Sequence, residues 1–360
     1  MKVIGVDPGT KSFDVCGLDD GRVGLDLSYP AETVAVRPEE IVSEIEKFSP
    51  DLVVGPSGMG IPTKRVSEMT AADRFELSIE RAGDTHEIGV LEGLRKMVGM
   101  LGKSGMDVRL IPGIIHLPTV PAFRKVNKID MGTADKLAIA ALCVSVDAER
   151  ENLSAYDGVN LVLIEIGFGY NASVAISGGR IVDGIGGTNF PGPAFLNMGA
   201  LDGEVAYLMG EFSKTVLFSG GVCHILGDHI IDPEEFAAAL ERGDETAQFA
   251  FGAYAEGILR AVAMEMLFTN ASRVYLSGRL SRCQPLRKRL ERAMGEKFHV
   301  EVRSLEGFAA AAKEAAQGAA IIAEGLAGGR YEKLVEHLQI RNASGSLFDQ
   351  IYIPHLRSRL

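Results

Sequence analysis

Two short stretches of this 360-residue chain bring together the residue types that handle phosphate. Val3 to Asp20 reads VIGVDPGTKSFDVCGLDD, and Leu161 to Gly179 reads LVLIEIGFGYNASVAISGG. Each has an apolar strand, an acidic residue (Asp7 or Glu165), a glycine-bearing turn, a second apolar strand and a small-residue turn. The interval from the acid to the closing glycine is 14 in both, from Asp7 to Gly21 and from Glu165 to Gly179. Glycine in such a turn lets backbone pass close to a bulky polyanion and leaves N–H groups to face it. Two such turns facing each other would clasp a phosphate chain. A lone glycine turn is a weak signal, since most Asp-Pro-Gly turns bind nothing. Repetition at matched spacing favours a duplicated hairpin.

The flanking pattern shows what must position these turns. Both copies resume with a basic residue and a strand, Arg22-Val23 and Arg180-Ile181. Pro38 to Phe48 has apolar residues at helical spacing with Glu in its first turn, and Asp51 to Gly55 reads as a buried strand. The order β-β-β-α-β predicts a sheet whose first strands are antiparallel and whose later ones return through helices. A Gly/Pro-rich loop over Pro56 to Arg65 follows. Next come a helix from Thr70 to Leu101 interrupted near Gly83 to His86, a strand over Val108 to Ile111 and a helix over Thr133 to Val146. Asp130 and Asp135 flank the start of that last helix as a candidate acid or base, or as caps and dipole partners.

Ala155 to Asn160 reads as a linker. Beyond the second hairpin, Gly184 to Glu204 is long and rich in Gly and Pro, which inside a domain points to function. Helices are predicted over Asp232 to Arg242, Thr246 to Phe268, Pro285 to Met294 and Ala309 to Leu326, with strands over Arg273 to Leu276 and Phe298 to Val302. The first of these strands runs into Ser277-Gly278-Arg279, a turn that either packs against a nucleoside or is a plain strand-to-helix connection. The resulting boundaries are a lobe over residues 1–150 with a helical insertion near 60–105, a second over 151–330, and a tail over 331–360 packing back on a lobe or a partner.

Length alone argues for two domains. A net charge of −11 argues against nonspecific nucleic-acid binding. Cys16, Cys143, Cys223 and Cys283 have no metal or disulfide spacing and read as reduced, buried thiols. No apolar run reaches the 18 or so residues that span a bilayer, and Met1 to Ile4 run straight into a strand. The expectation is a soluble, cytoplasmic protein with no membrane partner.

With these motifs in order, the chain resembles the superfamily of acetate kinases, sugar kinases, heat-shock chaperones and actin. The second half is similar to butyrate kinase over Asn160 to Gly169, Arg180 to Asp183 and Gly199 to Glu204. Further matches are Phe218 to Val222, Leu226 to Asp228, the helix with Tyr254 and Gly257, Ser277-Gly278, and Gly318. Asp7-Pro8-Gly9-Thr10 resembles the opening phosphate loop, and the group it resembles most is a set of archaeal proteins described as predicted butyrate kinases. The resemblance implies an α/β fold of two duplicated ribonuclease H-like lobes, each a mixed sheet with flanking helices, around a nucleotide cleft.

It also implies ATP and Mg²⁺, a small-molecule acceptor and a homodimer. Asp7 and Glu165 are then the metal residues, since Mg²⁺ takes one or two carboxylates and keeps waters. Gly9, Thr10, Lys11, Gly167 and Gly169 would hold phosphates, Ser277, Gly278 and Arg279 the nucleoside, and Asn189, Asp202 and Glu204 the substrate. Asp130, Asp135 and Lys128 are the catalytic candidates. Four positions depart from the family. Glu165 stands where a histidine is expected, Asp14 where the opening loop has a lysine, His116 near an expected aspartate, and Lys128 in place of an arginine.

Three readings follow. The first is a kinase that phosphorylates a small carboxylate or related metabolite, the second an ATPase whose domain closure drives a partner, and the third a nucleotide binder without catalysis. They rank in that order.

Overall fold

The computed structural model describes residues 1–55, 58–81, 89–228, 230 and 232–357, apart from the side chains of residues 35, 89–93 and 357. The chain divides into two units. The first comprises Met1–Val159, Gly178–Val182 and Glu306–Leu360, and the second Asn160–Ser177 and Asp183–Leu305.

In the first unit the opening hairpin is β1 (Lys2–Pro8) and β2 (Ser12–Asp19), extended antiparallel by β3 (Arg22–Pro30). β1 pairs in parallel with β4 (Leu52–Val54), and β4 with β6 (Val108–Leu110). The two-residue β5 (Lys64–Arg65) closes the edge, giving the order β3-β2-β1-β4-β6-β5. Helices α1 (Ala31–Val36), α2 (Pro38–Phe48), α3 (Ala71–Ser78), α4 (Gly89–Leu101) and α5 (Ala134–Arg150) follow the strands.

Side-chain alternation along β1 sends its two faces to different partners. Ile4 and Val6 enter a core with Ile41 and Ile45 of α2 and Met97 and Leu101 of α4. Gly5 faces α11 (Glu314–Leu326), where a Cβ would collide with the backbone at Ala316 and Ala320. On the same helix a Cβ at Gly318 would collide with the Ala138 carbonyl of α5. The Ala/Gly composition of α11 is therefore what lets it lie on strand and helix at backbone distance.

Residues 306–330 were expected in the second lobe, yet through α11 they belong to the first unit. The start of that helix also differs from expectation. Residues 309–313 are non-helical, and side chains accept from the backbone donors of this segment. Gln317 accepts from Phe308 and Ala309, and the Asp26 carboxylate accepts from Ala310, Ala311 and Ala312 at 2.8, 2.9 and 2.6 Å. The tail beyond α12 (Glu332–His337) lies on this unit. Phe348 stacks on Phe75 at 5.9 Å, Ser346 and Leu347 donate to Glu76, and Asn127 N–H donates to Gln350.

The second unit repeats the plan. β7 (Leu161–Ile166) and β8 (Asn171–Ser177) form its hairpin, β9 (Arg180–Ile185), of which Asp183–Ile185 fall in this unit, extends the sheet, and β10 (Arg273–Ser277) and β11 (Glu301–Ser304) add in parallel. The order is β11-β10-β7-β8-β9. Its helices are α6 (Gly203–Met209), α7 (Val222–Ile225), α8 (Pro233–Glu241), α9 (Glu245–Glu265) and α10 (Gln284–Phe298). Val162, Ile164, Val274 and Leu276 pack with Tyr254 and Ile258 of α9 and Leu286 and Leu290 of α10. α10 runs through Phe298, where a strand was expected, and the strand begins only at Glu301. Among the described residues, no helix is long and apolar enough to cross a membrane, and the four cysteines are buried and not in disulfides.

Candidate active site

The first turn gathers charge. The β1–β2 register sets Asp7 opposite Asp14. A Cβ on Gly9 would stand 2.9 Å from the Ser12 carbonyl and 3.7 Å from Asp7 Oδ2, so glycine lets the turn fold down beside the carboxylate. Asp7 is 9% exposed. Burial, and then the charges of Asp135 and Asp14, push its carboxyl well above the ordinary carboxylate range.

Asp135 sits in the first turn of α5. Burial opposes its ionisation, but the Lys136 ammonium at 2.5 Å and the Thr133 hydroxyl hold it below its ordinary value. Two neighbouring carboxyls are thus pushed in opposite directions, a pattern common where an acid and a base have separate tasks.

A cation reaches this turn from far along the chain. Lys313, immediately before α11, places Nζ 3.5 Å from Asp14 Oδ2 and donates to Ser12 Oγ. Ser12 Oγ in turn donates to Asp14 Oδ2 at 2.8 Å. Sequence reading singled out neither Lys136 nor Lys313. Its one available signal was a lysine directly before an alanine-rich helix, a position where Ser, Thr, Asp or Asn is preferred.

The other candidates of this unit lie differently. Asp130 is buried and accepts from the Gly132 N–H of its own loop at 3.2 Å. Lys128 is exposed. His116 is 2% exposed, faces Gly113 through Nδ1, and is pushed by burial to about 4, so it is neutral. Thr10 is partly buried and Lys11 exposed on the turn itself.

The second turn has the same backbone plan. Glu165 pairs with Ala172 at the offset that pairs Asp7 with Asp14. A Cβ on Gly167 would meet the Tyr170 carbonyl and, at 3.0 Å, Glu165 Oε1. Tyr254 is fully buried, and burial, then the Glu165 charge, raises its hydroxyl, against the Asn171 side chain.

The 277–279 turn lies on this hairpin. Gly278 has φ +90°, and a Cβ there would stand 2.7 Å from the Ile166 carbonyl. Arg279 is exposed, with its guanidinium 5.7 Å from the Phe168 ring centroid. Ser277 is fully buried opposite Glu165, so Arg279 is the accessible side chain of the three nucleoside candidates.

Of the Gly/Pro-rich stretch, Asn197 N–H donates to the Gly169 carbonyl at 3.1 Å, and Gly187 lies against the Tyr170 ring. Asn189 ends the short turn that begins at Gly187. Asp202 uses its carboxylate to cap α6, accepting from Glu204 N and Val205 N, and Glu204 is exposed. These two sit on a surface helix, apart from the contacts that bind the 186–200 loop to the turn.

Among the described residues, no three His, Cys, Asp or Glu side chains converge to hold a metal by themselves. The arrangement fits Mg²⁺, which is ordinarily held by one or two carboxylates together with phosphate oxygens. Asp7, crowded by like charges, is the residue a divalent cation would relieve.

The acetate kinase from Entamoeba histolytica superposes with a TM-score of 0.55 at 10% identity, over 82% of this chain and 87% of that one. The acetate kinase from Porphyromonas gingivalis gives 0.56 at 16%, over the same shares. At such identities the likeness shows the fold. It is the α/β actin-like ATPase fold, with two lobes that are each a mixed sheet flanked by helices. No curated protein sequence matches the chain. By sequence it belongs to the family described as protein of unknown function (DUF1464), whose model matches residues 5–353.

Proposed function

We propose that the protein is an ATP-dependent phosphotransferase acting on a small-molecule acceptor. One observation carries this reading: Asp135, held ionised by Lys136 and Thr133, stands beside Asp7 at a glycine turn suited to phosphate. In this scheme Gly9, Thr10 and Lys11 of the first turn, and Gly167 and Gly169 of the second, hold phosphate oxygens. Gly278 and Arg279 take the nucleoside, and Asn189 lies on the acceptor loop.

Asp7 would hold Mg²⁺, and Glu165 occupies the matching place in the second turn. When bound, the ion neutralises charge on the transferring phosphoryl group. Asp135 accepts the proton of the attacking group through a carboxylate oxygen, while Lys136 keeps it ionised between turnovers. A carboxylate acceptor has no such proton to lose at neutral pH, so Asp135 favours a hydroxyl acceptor over a simple short-chain carboxylate.

The test is phosphoryl transfer from Mg·ATP, followed by ³¹P NMR, across panels of short-chain carboxylates and small hydroxy compounds. Asp135→Asn should lower kcat about 10²–10⁴-fold and leave ATP affinity nearly unchanged. Acyl phosphate formed at an undiminished rate by that variant would overturn the hydroxyl assignment. ATP bound without transfer to any acceptor or to water would overturn the phosphotransferase.

A further inference from the structure

The first turn is built from acids: Asp7 and Asp14 face each other across the hairpin, and Asp135 adds a third. A polyphosphate approaching it would meet repulsion unless cations stand among the carboxylates. Two ammonium groups do. Lys136 is committed to Asp135 at 2.5 Å. Lys313 donates to Ser12 Oγ and stands 3.5 Å from Asp14 Oδ2, and its side chain remains 23% exposed. Its charge also reaches Asp7, opposing that carboxyl's rise.

The placement of Lys313 runs against local helix chemistry. It occupies the N-cap of a 13-residue helix, makes no capping hydrogen bond, and sets a positive charge at the positive end of the helix dipole. The position is nonetheless heavily determined. Asp26 holds the three preceding residues through their N–H groups, and Gly5 and Gly318 fix α11 against β1 and α5. A costly residue held this firmly beside a phosphate-type turn calls for a ligand.

We infer that Lys313 is a second phosphate-binding cation of the first turn, in addition to Lys11: it rests on Ser12 and Asp14 when the turn is empty and transfers to a β- or γ-phosphate oxygen of the bound nucleotide. This rests on the phosphotransferase reading for the ligand's identity. It adds a site residue supplied from the opposite end of the chain, some 300 positions from the turn it serves. Asp14 then acts as a parking place for the ammonium, which explains a carboxylate on the inner strand of a phosphate turn.

The experiment is calorimetric titration of the full-length protein with Mg·ATP, Mg·ADP and AMP, for the parent, Lys313→Gln, Lys313→Arg and Asp14→Asn, with thermal melting of each. Lys313→Gln should weaken ATP and ADP binding at least tenfold and AMP binding less than twofold, with Lys313→Arg recovering most of the loss. Asp14→Asn should bind ATP at least as tightly as the parent, because the resting partner is weakened while the cation stays.

If Lys313 served only to neutralise Asp14, both substitutions would lower the melting temperature, and neither would separate ATP from AMP. That result overturns the inference, as does equal loss for the three nucleotides. Failure of the parent to bind any nucleotide would defeat the phosphotransferase reading itself. Failure confined to the Lys313 variants would defeat this assignment alone. Should Lys313→Gln not fold, the contrast between Lys313→Arg and Asp14→Asn decides, since loss of ATP affinity in Asp14→Asn overturns the parking role.

Discussion

The two turns share one backbone and differ in almost every side chain around it. Glycine two positions after the acid, a carbonyl three positions further on, and the same cross-strand offset recur in both units. Around Asp7 stand Asp14, Asp135, Lys136 and Lys313. Around Glu165 stand Ala172, Tyr254, Asn171 and, over Phe168, Arg279. On the proposed reading, the shared geometry is what backbone needs to approach a polyanion, and the side chains around it divide the work. The first turn has carboxylates and ammonium groups beside it, and the second has aromatic and amide groups.

The shared backbone can be broken first, with the largest effect. Alanine at Gly167 must displace the Tyr170 carbonyl, and alanine at Gly9 must displace the more distant Ser12 carbonyl at 2.9 Å. Overpacking of this kind costs about 1–3 kcal/mol. Urea unfolding should place Gly167→Ala near the top of that range and Gly9→Ala near the bottom. The reverse order would mean that the two turns are not the same structural object.

The difference in charge is tested next, by Asp7→Asn. A carboxyl whose folded pKa is raised destabilises the fold once pH passes the unfolded value near 4. The penalty grows until the folded pKa and is constant beyond it. Without nucleotide or Mg²⁺, Asp7→Asn should therefore melt with the parent near pH 3.5 and above it at pH 8, by on the order of a few °C. No gain at pH 8 would show that the acids around the first turn do not repel one another.

The hairpins were legible from sequence because their signal is local. Strand alternation, turn glycines and acid spacing all lie within twenty residues, and the observed strands follow them closely. The helix over Pro38–Phe48 was equally plain from its periodicity and N-terminal glutamates. What could not be read is contact across long separations. Nothing near Asp14 foretells Lys313, and nothing near Ala310 to Ala312 shows that Asp26, some 285 residues earlier, accepts from their N–H groups. The alanine-rich run promised helix by propensity, yet the helix begins only at Glu314, after the segment whose N–H groups Asp26 accepts. His116, which stands near an expected aspartate, is buried and kept neutral, another outcome of contacts the local sequence does not show.

The Asp26 carboxylate gives the smallest expected effect and the finest test of how the first turn is equipped. The second turn shows no counterpart among the described residues to the segment that Asp26 holds. Slight burial works against ionisation of Asp26, but three backbone N–H donors outweigh it and hold its carboxyl below the ordinary range. Stability from a lowered carboxyl is present above the unfolded pKa near 4 and is lost as pH falls through the folded value. Because the group is near the surface, solvent screening reduces its worth, and Asp26→Ala should cost about 1 kcal/mol at pH 7. Denaturant midpoints of parent and variant should converge as pH falls below the ordinary carboxylate range. If Asp26 serves the first turn by fixing Lys313, the variant should also bind Mg·ATP several-fold more weakly while its AMP affinity holds. A purely local loss of stability, with ATP affinity intact, would show that Lys313 finds Asp14 without help and that α11 alone sets its place.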